Sequence, residues 1–103
     1  MLIYNITFIV EHSQAQPFHN WLTSEGLTAF RQDTDFFEAT LMRIVDPANE
    51  EGESMALQFH TEYTAEMLRD KETSILPSVL SKWCAEWHRH LVYFATVMQP
   101  IAL

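Results

Sequence analysis

The feature that most restricts the fold is the order in which hydrophobic periodicity changes along the chain. Residues 2–11, LIYNITFIVE, alternate with period two. Tyr4, Ile6, Phe8 and Val10 fall on one face and Ile3, Asn5, Thr7 and Ile9 on the other, which is the pattern of a strand. The period then becomes helical, with Phe18, Trp21 and Leu22 spaced as one apolar stripe. Ser13 is the expected N-cap, Pro17 falls in the first turn, and Gly26 is the expected stop of a helix running to about Glu25. Phe36 to Val45 and Ser54 to Glu62 read as strands on either side of the turn-rich run Asp46-Pro47-Ala48-Asn49-Glu50-Glu51-Gly52-Glu53. Thr64 can cap a second helical region, with Glu66 in its first turn where the helix dipole favours an acid. Pro77 predicts a break near Ile75, followed by a buried stripe of Val79, Leu80, Trp83, Cys84 and Trp87. Leu91 to Met98 is the last strand.

This β-α-β-β-α-β order in one 103-residue domain, residues 1–103, predicts an α+β, ferredoxin-like fold. Its expected form is a four-stranded antiparallel sheet with the helices on one face. If Tyr4, Ile6, Phe8, Val10, Met55, Leu57 and Phe59 meet the helices, the other face collects Asn5, Thr7, Gln58, His60, Glu62, Phe94, Thr96 and Met98. Strand two is ambiguous in face, and our choice adds Glu38, Thr40, Met42 and Ile44. Such a mixed face is too apolar for open water and too polar for a plain core, so it is expected to pack against a partner. Two copies face to face make a dimeric α/β barrel with a polar-lined interior. The 13% aromatic content, generous for a core this small, also fits an interface.

Charge and cysteine usage exclude several classes. Fourteen acidic residues against six basic ones give a formal charge of −8. The basic residues Arg31, Arg43, Arg69, Lys71, Lys82 and Arg89 are scattered. Nucleic acid and anionic membranes, which need clustered positive charge, are therefore not expected partners. No apolar run approaches the about 18 residues of a membrane span. The start has no basic leader and no small-residue cleavage site. A single cysteine, Cys84, allows neither an internal disulfide nor a CxxC motif, and a reducing, cytoplasmic setting is expected.

His60 is the first candidate for chemistry. It lies mid-strand on the inner face, two residues from Gln58 and two from Glu62, and imidazole is the side chain that changes charge nearest neutral pH. It suits a general base with a substrate proton in reach, but an interface histidine bonded to the partner's backbone is the favoured reading. Asn5, Thr7, Thr40 and Gln58 can hydrogen-bond a ligand inside the barrel, or pair with one another to fix the dimer's register. The candidate ligand-binding set is thus His60, Gln58, Asn5 and Thr40. No metal and no cofactor are expected. His88 and His90 are two apart on a helix and do not face each other, and Glu86 with His90 falls short of a zinc site. The acidic loop at Glu50 and Glu51 lacks the alternating spacing of a calcium loop. Cys84 sits in the apolar stripe as an inert thiol, and two glycines allow no phosphate-binding loop.

The chain resembles a family of bacterial proteins of about this length known only as a domain of unknown function. The similar positions are Ile3-Tyr4-Asn5-Ile6-Thr7 at the start, Trp21-Leu22, Phe37, Leu41, Arg43-Ile44, Gln58-Phe59, Pro77, Phe94 and Thr96. Most of them are core positions, and Tyr4-Asn5 is the most specific. The resemblance implies a ferredoxin-like, dimeric α/β barrel and no established activity. Two departures stand out. Gly26-Leu27-Thr28 replaces the His-Ile-Pro that relatives tend to carry after the first helix, and Ala95 replaces an arginine of the last strand. Any site those residues serve in relatives is altered or absent here. Three functions remain open on the sequence. One is a homodimer that binds a small ligand or partner in the barrel interior. The second is a small enzyme of the kind other dimeric α/β barrels supply, a cofactor-independent oxygenase or isomerase or a haem-associated protein. The third is a stability or assembly factor with no pocket. The second rests on fold analogy, and His88 and His90 stand too near the end of their helical stretch to be natural iron ligands.

Overall fold

The computed structural model describes residues 1–32, 35–68, 85 and 87–103. Four strands, β1 (Leu2–Glu11), β2 (Phe37–Ile44), β3 (Gly52–Thr61) and β4 (Leu91–Met98), form one sheet in the order β2-β3-β1-β4. All neighbouring pairs are antiparallel. This is the ferredoxin-like α+β arrangement expected from the period changes, with β1 and β3 central.

The alternation of β1 sorts its side chains as predicted. Tyr4, Ile6, Phe8 and Val10 are fully buried beneath the helices, together with Leu57 and Phe59 of β3. Phe18, Leu22 and Phe30 close over them from the helical side. Ring contacts knit this layer. Phe8 meets Phe18 at 5.2 Å between centroids, and Phe30 stacks on Phe59 at 5.0 Å. Trp87 stands edge-on to Phe18 at 5.4 Å, in keeping with the inward stripe expected of it.

The first helical segment corrects three expectations. Helix α1 (His12–Trp21) starts directly after the strand, with Glu11 at its N-cap, and Ser13 makes no cap. Pro17 therefore lies inside the helix and not in its first turn. Ser13 and Pro17 are both exposed, so water can take the carbonyl that Pro17 leaves without a donor. Gly26 does not stop the helix. A π-helical turn (Leu22–Gly26) leads into α2 (Leu27–Gln32). The hydroxyls of Thr23 and Ser24 donate to the His19 and Asn20 carbonyls, which the widened turn leaves available. Leu22, Gly26 and Phe30 are four residues apart and all buried, so the apolar face continues past the glycine. Gly26 is small because the Trp21 ring lies against it. A Cβ there would stand 2.9 Å from Trp21 Cζ3.

At the other hairpin β3 begins at Gly52, two residues earlier than expected. A Cβ at Gly52 would run into the Val10 carbonyl, so only glycine admits the close approach of β1 and β3. Thr64 accepts a hydrogen bond from the Met67 amide at 3.2 Å, and residues 65–68 are helical. The expected break at Pro77 and the stripe of Val79, Leu80, Trp83 and Cys84 lie outside the described residues. No helix among the described residues is long and apolar enough to cross a membrane.

Candidate functional site

Antiparallel pairing aligns the uncovered face of the sheet in rows that cross all four strands. Thr40 pairs with Gln58, Gln58 with Asn5, and Asn5 with Thr96. The register thus places three of the four expected site residues, Asn5, Gln58 and Thr40, in one unbroken polar row, completed by Thr96. Mainly apolar rows border it. On one side come Met42, Ala56, Thr7 and Phe94, and on the other Phe37, His60, Ile3 and Met98. Phe94 is 54% exposed and Val92 62%, on a sheet whose opposite face is dry.

Asn5 is the centre of the row and is 7% exposed. Its Nδ2 donates to Thr7 Oγ1 at 3.0 Å and to Thr96 Oγ1 at 3.2 Å. Its Oδ1 is buried with no hydrogen-bond partner. A buried amide oxygen with no partner costs about 1–3 kcal/mol, and none is present for this one among the described residues.

His60 stands one row away, and its carboxylate partner is not the one the sequence suggests. Glu62 lies beyond the end of β3. The Glu38 carboxylate instead meets His60, Oε2 to Nδ1, at 2.9 Å. The contact depends on a β-bulge. Phe37 pairs with His60 and Thr40 with Gln58, so two residues of β2 oppose the single Phe59. Glu38 opens the bulge at φ 53°, the left-handed region that costs a non-glycine residue about 1–2 kcal/mol. The bulge also turns Phe37 onto the open face, where its ring meets the His60 ring edge-on at 5.8 Å. Simple alternation cannot show this, because it puts Phe37 under the helices. The adjacent pair Phe36-Phe37 was the available signal. Phe36 is buried, and the strand must shift phase for Phe37 to share a face with Thr40.

Other histidines serve the frame. His90 Nδ1 lies 3.1 Å from Glu11 Oε2, and the Glu11 amide donates to the His90 carbonyl, which ties β1 to the start of β4. His88 Nδ1 contacts the Ala85 carbonyl at 2.7 Å. Among the described residues no three metal-ligating side chains cluster. Two hollows, of about 200 and 220 Å³, lie elsewhere, one lined by His19, Arg43 and Met55 and one beside the β2–β3 loop. Neither contains Asn5, Thr40, Gln58 or His60. A sheet face is not a pocket, and these four residues enclose a ligand only when a second surface covers them.

Known proteins share this architecture. SnoaB, a cofactor-independent oxygenase from Streptomyces nogalater, superposes with a TM-score of 0.63 at 13% identity, over 99% of this chain and 94% of that one. A monooxygenase from the gene ActVA-Orf6 of Streptomyces coelicolor, in complex with nanaomycin D, gives 0.62 at 17% identity, over 99% and 88%. An uncharacterised NIPSNAP domain protein from Burkholderia xenovorans gives 0.63 at 14% identity, over 99% and 96%. At these identities the likeness shows the fold alone. No curated protein matches the sequence. Residues 1–101 match the model of a family described as a domain of unknown function, DUF4286.

Proposed function

The chain belongs to the DUF4286 family, a domain of unknown function, and we propose that it works as a homodimer, sheet against sheet, binding a small molecule in the interior so formed. The observation that carries this is the polar row Thr40, Gln58, Asn5 and Thr96 on the uncovered face of the sheet, between two mainly apolar rows that include the exposed Phe37 and Phe94. Burying the apolar rows against a second copy is favourable at about 25 cal/mol per Å². The polar row then becomes the lining of an interior and needs hydrogen-bond partners there. A cytoplasmic setting suits the single cysteine. Sedimentation at micromolar concentration should give twice the 12.0 kDa chain mass. A metabolite panel should contain a compound that raises the melting temperature, because a ligand of the native state must stabilise it. A stable monomer, or a dimer that no compound stabilises, overturns the reading.

A second reading is a small enzyme that uses the same interior. The imidazole–carboxylate pair of His60 and Glu38 favours it, since a positioned histidine beside a neutral polar row suits proton transfer. The oxygenases named above support it only through their shared fold.

A further inference from the structure

We propose that His60, held by Glu38, is the proton acceptor for a weakly acidic hydroxyl, that of a phenol or enol, on the molecule bound between the sheets. This rests on the interior-binding reading above. A carboxylate only accepts hydrogen bonds, so the His60 nitrogen that faces Glu38 Oε2 at 2.9 Å carries the hydrogen and donates it. In the neutral ring the lone pair is then on Nε2, and no hydrogen bond among the described residues engages that atom. The local backbone is arranged for this contact. Glu38 takes a left-handed φ of 53° at the bulge, and strain of this kind persists where the surroundings impose it.

The surroundings select the ligand class. Asn5, diagonal to His60 in the next row, has its Oδ1 buried below the face, where a ligand does not reach it. The open Nε2 acceptor calls for a ligand that donates. No lysine or arginine stands on this face among the described residues, because Arg43 pairs with Met55 on the covered side. A carboxylate or phosphate would therefore arrive with no cation to neutralise it, whereas a neutral hydroxyl compound would not need one. The Phe37 ring, edge-on to His60, together with Ile3 and Met98 offers an apolar wall for the ligand's ring or chain. In the step itself the ligand's O–H bond breaks and an N–H bond forms at Nε2. The electron pair stays on oxygen, leaving a phenolate or enolate. The resulting imidazolium is stabilised by the Glu38 carboxylate, and no oxidant or reductant is consumed. His60 is the residue that touches the ligand, and Glu38 is a positioning residue acting through it.

The test uses 4-nitrophenol and the whole chain, at a pH where the free dye is mostly protonated. Equilibrium dialysis measures how much dye is bound, and the yellow phenolate band measures how much of it is ionised. Wild-type protein should bind the dye and ionise it. His60→Asn should bind it without the phenolate band. Glu38→Gln should lower the ionised-to-neutral ratio of bound dye by up to about fivefold, the upper end of what a contact this exposed contributes. Circular dichroism and dimer mass monitor folding. If His60→Asn does not fold, Glu38→Gln carries the test, because its side chain is 69% exposed. Dye that binds but stays protonated, or an ionised fraction of bound dye in the variants equal to that of wild type, overturns this proposal alone. Absence of binding by dialysis overturns it together with the interior-binding reading for this class of molecule.

Discussion

The strained residue at the bulge makes a quantitative claim about stability that can be separated from its role beside His60. At φ 53° a side chain at position 38 costs about 1–2 kcal/mol, and glycine does not pay this. Glycine instead loses about 0.5–1 kcal/mol more chain entropy on folding than alanine does. Both Glu38→Gly and Glu38→Ala remove the contact with His60, so its value cancels when the two variants are compared. The glycine variant should therefore be about 1 kcal/mol more stable than the alanine variant. For a chain of this size that corresponds to roughly 4–8 °C in melting temperature. Against wild type, a side-chain contact this exposed contributes about 0–1 kcal/mol. Glu38→Ala should fall slightly below wild type, and Glu38→Gly should match or exceed it. Urea unfolding followed by far-UV circular dichroism, at one protein concentration for all three, measures the differences. An alanine variant as stable as the glycine variant would show that residue 38 is not left-handed. The bulge, and with it the face assigned to Phe37, would then be wrong.

Phe94→Lys should dissociate or unfold the dimer, because it would place an unpaired charge in the interface, and a sedimenting species that remains dimeric refutes the proposed face. Gly52→Ala should cost about 2 kcal/mol in urea unfolding, since the new Cβ meets the Val10 carbonyl, a backbone atom that cannot rotate away. No micromolar binding to duplex DNA is expected at physiological salt from a chain of charge −8, and a fluorescence-anisotropy titration that saturates there would contradict it.

What was legible in the sequence follows from how far each local rule reaches. The bounds and the two faces of β1 follow directly from period-two alternation, which burial of one face enforces over ten residues. Parity places Gln58 with His60 and Asn5 with Thr7, whereas the face of Thr40 is ambiguous on sequence because its strand does not alternate cleanly. That they form a single row depends on register, which hairpin geometry and Gly52 set and parity does not. The partner of His60 was out of reach for a related reason. Glu62 is near in sequence, whereas Glu38 is brought there by a bulge that shifts strand phase by one residue. The helix stop failed because Gly26 was weighed only by its propensity, as a terminator. In the structure it is a contact residue, and its burial between Leu22 and Phe30 comes from the Trp21 ring rather than from any need of the backbone.

The same two-sidedness settles what the departures from the family resemblance mean for the candidate site. Ala95 pairs with Ile6, a fully buried residue, so position 95 faces the helices and not the open side of the sheet. Gly26 belongs to that helical layer as well, beneath a Trp21 ring that also contacts Phe18 and Trp87. A larger side chain at either position changes how the helices lie on the sheet. Neither position borders the row from Thr40 to Thr96 or the His60–Glu38 pair. An arginine at position 95 in a relative would project away from these groups, with the sheet between them. The resemblance holds on both sides of the sheet, at Asn5, Gln58, Phe94 and Thr96 on the open face and at the buried Tyr4, Ile6, Leu22 and Phe59 on the helical side. The two departures both fall on the side that packs the helices, away from the face proposed to form the interior.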